Sequence, residues 1–529
     1  LNNRLIHNNL ICTIYGFVLQ EEYIFLDKIM MNFMRLFQKR VGFIFVFSAS
    51  FIMLLLSCSK KKDESNPSVS CYVNSPSSKG TCESGGMLTA STKTPLLVVR
   101  IQYENACFRS DETTWAKKIF GTSEGQMNGY WNETTYGKYQ FAPATESSGC
   151  ANDGIINVNM ARTHPNIQKE PLGCYAAEAI TAADSYIDFS TYDTDSNGNL
   201  STSELQVIFL VAGGESSGGY NIPGGVWGMN PSMYCDADGD GEVRFEAGES
   251  HMTLDNVNLL GSKSQGQNEY SQFGETDGSS PEWSWDAPIG TMSHELGHAF
   301  FQLPDLYDTT YKTSGIGYFG LMGSGSSGMK SWNECGLHDP PEIWGKPCLG
   351  ATPVHLSAWS KEKLDVCTPQ TVSSGTGNYT LATNATTCGI YKIPTSTTGE
   401  YFLIENRGPA GYDRGFIGLL LDNDTNTMAA ENFKGGLAIW HIDNSSNCDY
   451  SNACDNSTPN IVDLEEANDA DLDNKSSRGR TTHLFYSGNN ATFNNSTTPN
   501  SNLTSGSTSG ISVTNISAQG DNMTFTISK

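Results

Sequence analysis

The stretch Thr291–Asp308, TMSHELGHAFFQLPDLYD, constrains this chain more than any other. His294 and His298 stand four residues apart, so on an α-helix both imidazoles leave the same face, one turn from each other. Imidazoles so placed can share one tetrahedral ion of the zinc type, and Glu295, the next residue along, can take a proton from a water on that ion. Ile289, Met292, Leu296, Ala299, Phe300 and Leu303 recur at helical intervals, which predicts one buried face and one face on a cleft. Pro304 disfavours helical geometry at Leu303 and predicts the helix end there. The chain then turns back. Asp305 is the expected third ligand, with Asp308 the alternative. A bare HExxH occurs by chance. Here it comes with an amphipathic helix, an acidic residue beyond a helix-ending turn, and a glycine-rich turn around Met322 (Gly315–Gly328, GIGYFGLMGSGSSG).

Together these pieces resemble a family. His294-Glu-Leu-Gly-His298, Leu303-Pro-Asp-Leu-Tyr-Asp308 and Leu321-Met-Gly-Ser-Gly325 are similar to the immune inhibitor A-like metalloproteases. Pro95–Arg100, Gly129–Gly137 (GYWNETTYG), Pro353–Leu364, Glu400–Arg407 and Gly436–Asp443 resemble the same family. The resemblance implies an α+β zincin-like catalytic domain of the metzincin type, with a twisted sheet over the HExxH helix and a methionine turn beneath the metal. It implies Zn2+ on His294, His298 and Asp305, with Glu295 as general base for hydrolysis of protein or peptide substrates. There is one departure. The usual HExxHxxGxxH/D spacing puts its third ligand at Pro304 and a glycine at Phe301, so the turn here must differ slightly to use Asp305. No tyrosine follows Met322 closely, which leaves Tyr307 and Tyr318 as candidates for stabilising an oxyanion.

Acidic residues outnumber basic ones, 57 to 32, for a formal charge of −25. That argues against nucleic acid as a partner and for a soluble, cation-binding extracellular protein. Residues 1–33 read as an upstream extension and 34–57 as a lipoprotein signal peptide, with Arg35, Lys39 and Arg40 ahead of the apolar run Val41–Leu56. The run ends in Leu55-Leu56-Ser57-Cys58, which resembles a bacterial lipobox. This implies membrane attachment through a lipidated Cys58 and an outer-membrane, cell-surface or extracellular location. Residues 58–94 read as a flexible tether and 95–366 as the catalytic domain. From Cys367 short alternating runs between Gly, Asn and Ser predict an all-β, sandwich-like domain over 367–529. Within it Asp463–Asp473 is expected as a solvated loop. Setting aside Cys12 and Cys58, the other twelve of 14 cysteines read as disulfides. Cys71/Cys82, Cys335/Cys348, Cys367/Cys388 and Cys448/Cys454 are the nearest pairs.

Two acidic loops point to Ca2+. The segment from Asp193 to Glu204 (DTDSNGNLSTSE) fits a twelve-position calcium loop, with a glycine sixth and an apolar residue eighth. Its expected ligands are Asp193, Asp195, Asn197, Asn199 and Glu204, and the strand-like Val207–Val211 that follows suggests a structural loop built into a sheet. Asp236, Asp238, Asp240 and Glu242 begin a second such loop, in which Glu246 or Glu249 must stand in at the twelfth position. The plainer reading of both is an Asx-rich surface turn. His355 is expected to be a surface or capping histidine, and His441 and Asp443, which have no spaced partner, are expected to be structural. The alternative for the whole chain is an inactive, calcium-stabilised surface adhesin. The intact Glu295 counts against that, since a purely structural metal site needs no such carboxylate.

Overall fold

A run as continuously apolar as Leu96–Val99 needs cover on both faces of its strand, and the computed structural model shows how it is covered. The structure describes residues 91–164, 172–215, 253–259, 270–280, 283–309, 312–331, 348–385, 387–421, 433–444, 460–468 and 471–529. The expected leader, Cys58, nearly all of the tether, the Asp236–Glu242 loop, and Cys71, Cys82, Cys335, Cys448 and Cys454 lie outside them. All the described residues belong to one compact unit, Ser68–Lys529. Among them no helix is long and apolar enough to cross a membrane.

The first part of the chain runs β1 (Thr92–Tyr103), α1 (Glu112–Phe120), α2 (Met127–Thr134), β2 (Tyr139–Pro143), β3 (Ile155–Met160), α3 (Leu172–Ala183) and β4 (Gln206–Gly214). A short hairpin, β5 (Thr253–Leu254) and β6 (Val257–Asn258), precedes β7 (Tyr270–Ser280), β8 (Trp283–Asp286) and α4 (Ile289–Ala299). Strand β1 pairs in parallel with β2, β3 and β4, β4 pairs in parallel with β7, and β8 adds an antiparallel strand at the far edge. Side chains alternate between the two faces, as the pleat requires. Leu96, Val98, Ile208 and Leu210 share a core with α1, α2 and α4, while Leu97, Val99, Ile101, Val207 and Phe209 share another with Tyr175, Ala179 and Ile180 of α3. Met292 and Leu296 place α4 in the same core as Phe273 of β7.

Helix α5 (Ala358–Lys363) starts at Ser357, whose Oγ accepts the Ser360 N–H at 3.2 Å. It covers only part of the segment Pro353–Leu364, because the preceding backbone is bonded elsewhere. Val354 N–H donates to Gly325, and His355 N–H to Asp413 Oδ1 at 3.0 Å. Then come β9 (Gln370–Thr371), β10 (Thr376–Ala382), β11 (Tyr391–Pro394), β12 (Glu400–Arg407), β13 (Gly436–Asp443), β14 (Val462–Leu464), β15 (Ser512–Thr514) and β16 (Asn522–Ser528). They form a five-stranded sheet, β14-β13-β12-β11-β9, and a three-stranded one, β10-β16-β15. Phe402, Ile404, Leu437 and Ile439 share a core with Val513, Phe525 and Ile527 across the two sheets. The opposite face of β12 and β13 (Tyr401, Leu403, Trp440, Ile442) joins the core that holds α4. The change of composition at Cys367 is therefore not matched by a break in the core. The solvated loop expected over Asp463–Asp473 is corrected: β14 opens it, and buried Glu466 accepts the Leu472 N–H at 2.6 Å.

A buried charge network spans the same junction. Arg407 donates to both oxygens of Asp413 (2.7 Å each), to Glu405 (3.2 Å) and to the Phe319 carbonyl (2.7 Å), while Lys361 Nζ meets Glu405 at 3.0 Å. All four charged side chains are fully buried. Removing one partner of such a set leaves an uncompensated charge, which costs about 3–5 kcal/mol. Asp413→Ala should therefore lower unfolding free energy by about that amount in a denaturant titration, although it lies outside every candidate site.

Candidate metal centre

Helix α4 ends at Ala299, four residues before the expected Leu303. The reason is local. Phe301 N–H reaches back five residues to the Leu296 carbonyl, Gln302 takes a left-handed φ of 52°, and Leu303 N–H turns to the Gly297 carbonyl at 3.0 Å. Phe301, in the position where the family pattern has glycine, packs on Trp131 with ring centroids 4.3 Å apart, and Tyr139 and Phe141 complete the cluster. The left-handed turn thus falls one residue later than that pattern implies, and Asp305 rather than position 304 comes back to the helix.

Three donor atoms converge there. His294 Nε2 lies 3.1 Å from His298 Nε2, and Asp305 Oδ1 lies 3.1 Å from the first and 3.0 Å from the second. The other ring nitrogens are tied to backbone: His294 Nδ1 to the Leu321 carbonyl at 2.9 Å, His298 Nδ1 to the Leu303 carbonyl at 2.6 Å. A carbonyl only accepts, so each Nδ1 carries the proton and each Nε2 of a neutral ring turns its lone pair to the common point. Such backbone partners orient metal-ligating histidines. Donors on a tetrahedral zinc, each about 2.0–2.1 Å from it, are about 3.3 Å apart. The observed triangle is within a few tenths of that, so these residues fit the ion.

The glycine-rich turn supports this arrangement from beneath. It supplies the Leu321 carbonyl, and the Met322 carbonyl accepts the Leu306 N–H at 2.7 Å. A side chain at Gly297 would collide with the Met322 sulfur, so the helix rests on that methionine without a Cβ between. Electrostatics favour positive charge at the triad. Burial opposes a charged His294, but the Asp305 hydrogen bond and the charges of Glu295 and Asp305 outweigh it and push the imidazole up to about 9. Burial also raises the Asp305 carboxyl, yet hydrogen bonds from both histidines take it well below the usual carboxylate range. Burial lifts Glu295 to about 6 against the lowering influence of the two imidazoles.

Glu295 and His294 line a cleft of about 350 Å³ with Glu215, Asp277, Thr291, Tyr307, Ser324, Lys475 and Arg478 among its walls. Neither the wall acids nor the two cations carry a spacing signal, and the sequence reading missed them. Asp308 also lines the cleft but is spent on its own loop, accepting the Lys312 and Thr313 N–H groups at 2.9 and 2.8 Å. Tyr307 lies along the ring of His294, centroids 6.1 Å apart, whereas Tyr318 does not line the cleft. Trp285 lines a separate recess of about 430 Å³ with Lys118 and Lys330. His355 is fully buried against Glu133 (2.9 Å), and His441 bridges Glu400 (2.9 Å) and Glu465 (3.4 Å).

In the calcium-type loop, Asp193, Asp195 and Glu204 bring carboxylate oxygens within 4.8 Å of one another. Gly198 has φ 76°, the left-handed turn that the sixth position requires. Asp193 accepts the Asn197 and Gly198 N–H groups, and Asn197 N–H is shared with Asp195. Asn199 holds the loop to the β5–β6 hairpin, its Oδ1 accepting from Asn258 Nδ2 at 2.9 Å. Burial raises Glu204, but hydrogen bonds from Ser201, Thr194 and Asp195 bring it down to about 2. Cys367 and Cys388 form the expected disulfide, and Cys107, Cys150 and Cys348 are also disulfide-bonded.

A scan against protein-family models finds no match to this chain, and a search of curated proteins finds no relative.

Because His294 holds its proton up to about 9, an incoming divalent ion must displace it. Zinc affinity, measured by competition titration, should rise steadily from pH 6 towards pH 9 with proton release; a pH-independent affinity would exclude this histidine as a ligand. Gly297→Ala should overpack the methionine beneath the helix, costing about 1–3 kcal/mol in thermal unfolding and weakening zinc binding in the same titration.

Proposed function

We propose that this chain is a zinc-dependent endopeptidase with a zincin-like catalytic region. The observation that carries the reading is the convergence of His294 Nε2, His298 Nε2 and Asp305 Oδ1, both histidines oriented by backbone carbonyls, beside a buried carboxyl in an open cleft. A zinc ion held by these residues supplies a Lewis acid and a water acidic enough to ionise near neutral pH. The Glu295 carboxylate takes the proton of the attacking water and returns it to the leaving amine. Its burial supports that work, since a carboxyl lifted to about 6 accepts a proton more readily than an exposed one yet remains mostly ionised at pH 7. The two histidines hold the Asp305 carboxyl below the usual carboxylate range, which suits it to serve as the third ligand.

Ca2+ in the Asp193–Glu204 loop is the second part of the proposal. The left-handed Gly198 and the clustered carboxylates support it. Its role is structural, fastening the loop beside the hairpin that Asn199 already holds. An exported, surface-attached location through Cys58 completes the reading. The disulfides support it, because such bonds persist in oxidising compartments.

Glu295→Gln should keep stoichiometric zinc and lose about 10²–10⁴-fold in casein or peptide hydrolysis. A fully active variant rejects the assignment, and a wild-type protein that binds zinc but cuts nothing favours the adhesin alternative. Calcium at about 100 times its dissociation constant should add about 2.7 kcal/mol of stability, lost with chelator and in Glu204→Gln, as read by calorimetry.

A further inference from the structure

The cleft beside Glu295 has charges of both signs on its walls. Glu215 and Asp277, from the sheet side, are buried, and Glu215 Oε2 accepts the Gly274 N–H at 2.8 Å. Lys475 and Arg478 are exposed and come from residues 471–480, between β14 and β15. Their backbone is not loose. Ser314 N–H donates to the Leu472 carbonyl and Tyr318 N–H to the Arg478 carbonyl, each at 2.8 Å, and Ser314 Oγ donates to the Ser477 carbonyl at 2.8 Å. Within the segment, Asp471 accepts from Ser476 Oγ and from Arg480 Nε. The backbone that carries Lys475 and Arg478 is therefore fastened to Ser314, just before the glycine-rich turn, and to Tyr318 within it.

The formal charge of −25 gives this placement its weight. At a distance the molecule repels a peptide that carries carboxylates. Within a screening length of about 8 Å at physiological ionic strength, the nearest charges decide. The acids that line the cleft are buried, whereas the exposed charged residues of its lining are a lysine and an arginine, and a guanidinium pairs with a carboxylate through two parallel hydrogen bonds. Resting on the peptidase reading, we infer that Lys475 and Arg478 are specificity-determining residues that select substrates bearing a carboxylate close to the scissile bond.

The test uses the zinc-loaded protein and matched fluorogenic peptides with Glu or Gln at each position around the cleavage site, ending in a free acid or an amide. The acidic member of at least one pair should be cut about three- to tenfold better, as expected for exposed charge pairs. The side-chain and terminal arms tell which carboxylate is read. The ratio should fall to about one in Lys475→Gln/Arg478→Gln, and should turn in favour of Lys-bearing peptides in Lys475→Glu/Arg478→Glu. Taking the ratio within one preparation cancels partial unfolding, and the single variants report it if the double one is not recovered folded. Anisotropy of the same uncleaved peptides on the metal-free chain should show the same preference. Equal rates on paired peptides, or a preference that survives both substitutions, overturns the inference while leaving the peptidase reading intact. A protein that cuts none of the peptides overturns both.

Discussion

Two backbone carbonyls decide where the imidazoles of this chain can point. Leu303 and Leu321 each accept an Nδ1–H, and with those two nitrogens tied to backbone both Nε2 atoms face Asp305. The two carbonyls come from different loops, one just after the helix and one from the glycine-rich turn. Whatever fixes those loops therefore fixes the donor triangle. Aromatic packing around Phe301 holds the first, while the Leu306–Met322 backbone bond and the contact of Met322 with the helix hold the second.

Support continues outward through buried charge. Leu321 N–H donates to the His355 carbonyl, His355 N–H to Asp413, and Asp413 is locked to Arg407, which reaches back to the Phe319 carbonyl. The ring closes on the glycine-rich turn from which it started. Burying so many charges is a poor way to add stability, but losing any one partner leaves the others uncompensated, so the set stands or falls together. Strand β12, which carries Glu405 and Arg407, thereby becomes part of the framework of the triad.

The parts of the molecule that were legible in the sequence are those written in local periodicity. The helical spacing of His294, Glu295 and His298, the apolar run that became β1, the glycine at the sixth position of the acidic loop, and the neighbouring Cys367 and Cys388 all carry their meaning within a short window. The early end of α4 was not legible, because Gln302 rather than a glycine takes the left-handed turn. His355 shows a different limit: a lone histidine reads as surface until Glu133, far away in sequence, is brought against it. Asp463–Asp473 looked solvated for the same reason, since acidic composition says nothing about a strand partner or a buried Glu466. Lys475 and Arg478 in the cleft wall were beyond reach, because only the tertiary fold joins them to it.

The stitching of residues 471–480 to the loop after Asp305 also bears on the order of events as the chain is made. Ser314 and Ser477, which it joins, are separated by 163 positions. A nascent polypeptide that has emerged as far as the two imidazoles and their acid neighbour still lacks one rim of the cavity they face. Closing so long a loop is an entropically late step. The recess is thus finished only after most of the C-terminal strands have been synthesised, and an incomplete chain carries His294, Glu295 and His298 without the wall that Lys475 and Arg478 supply.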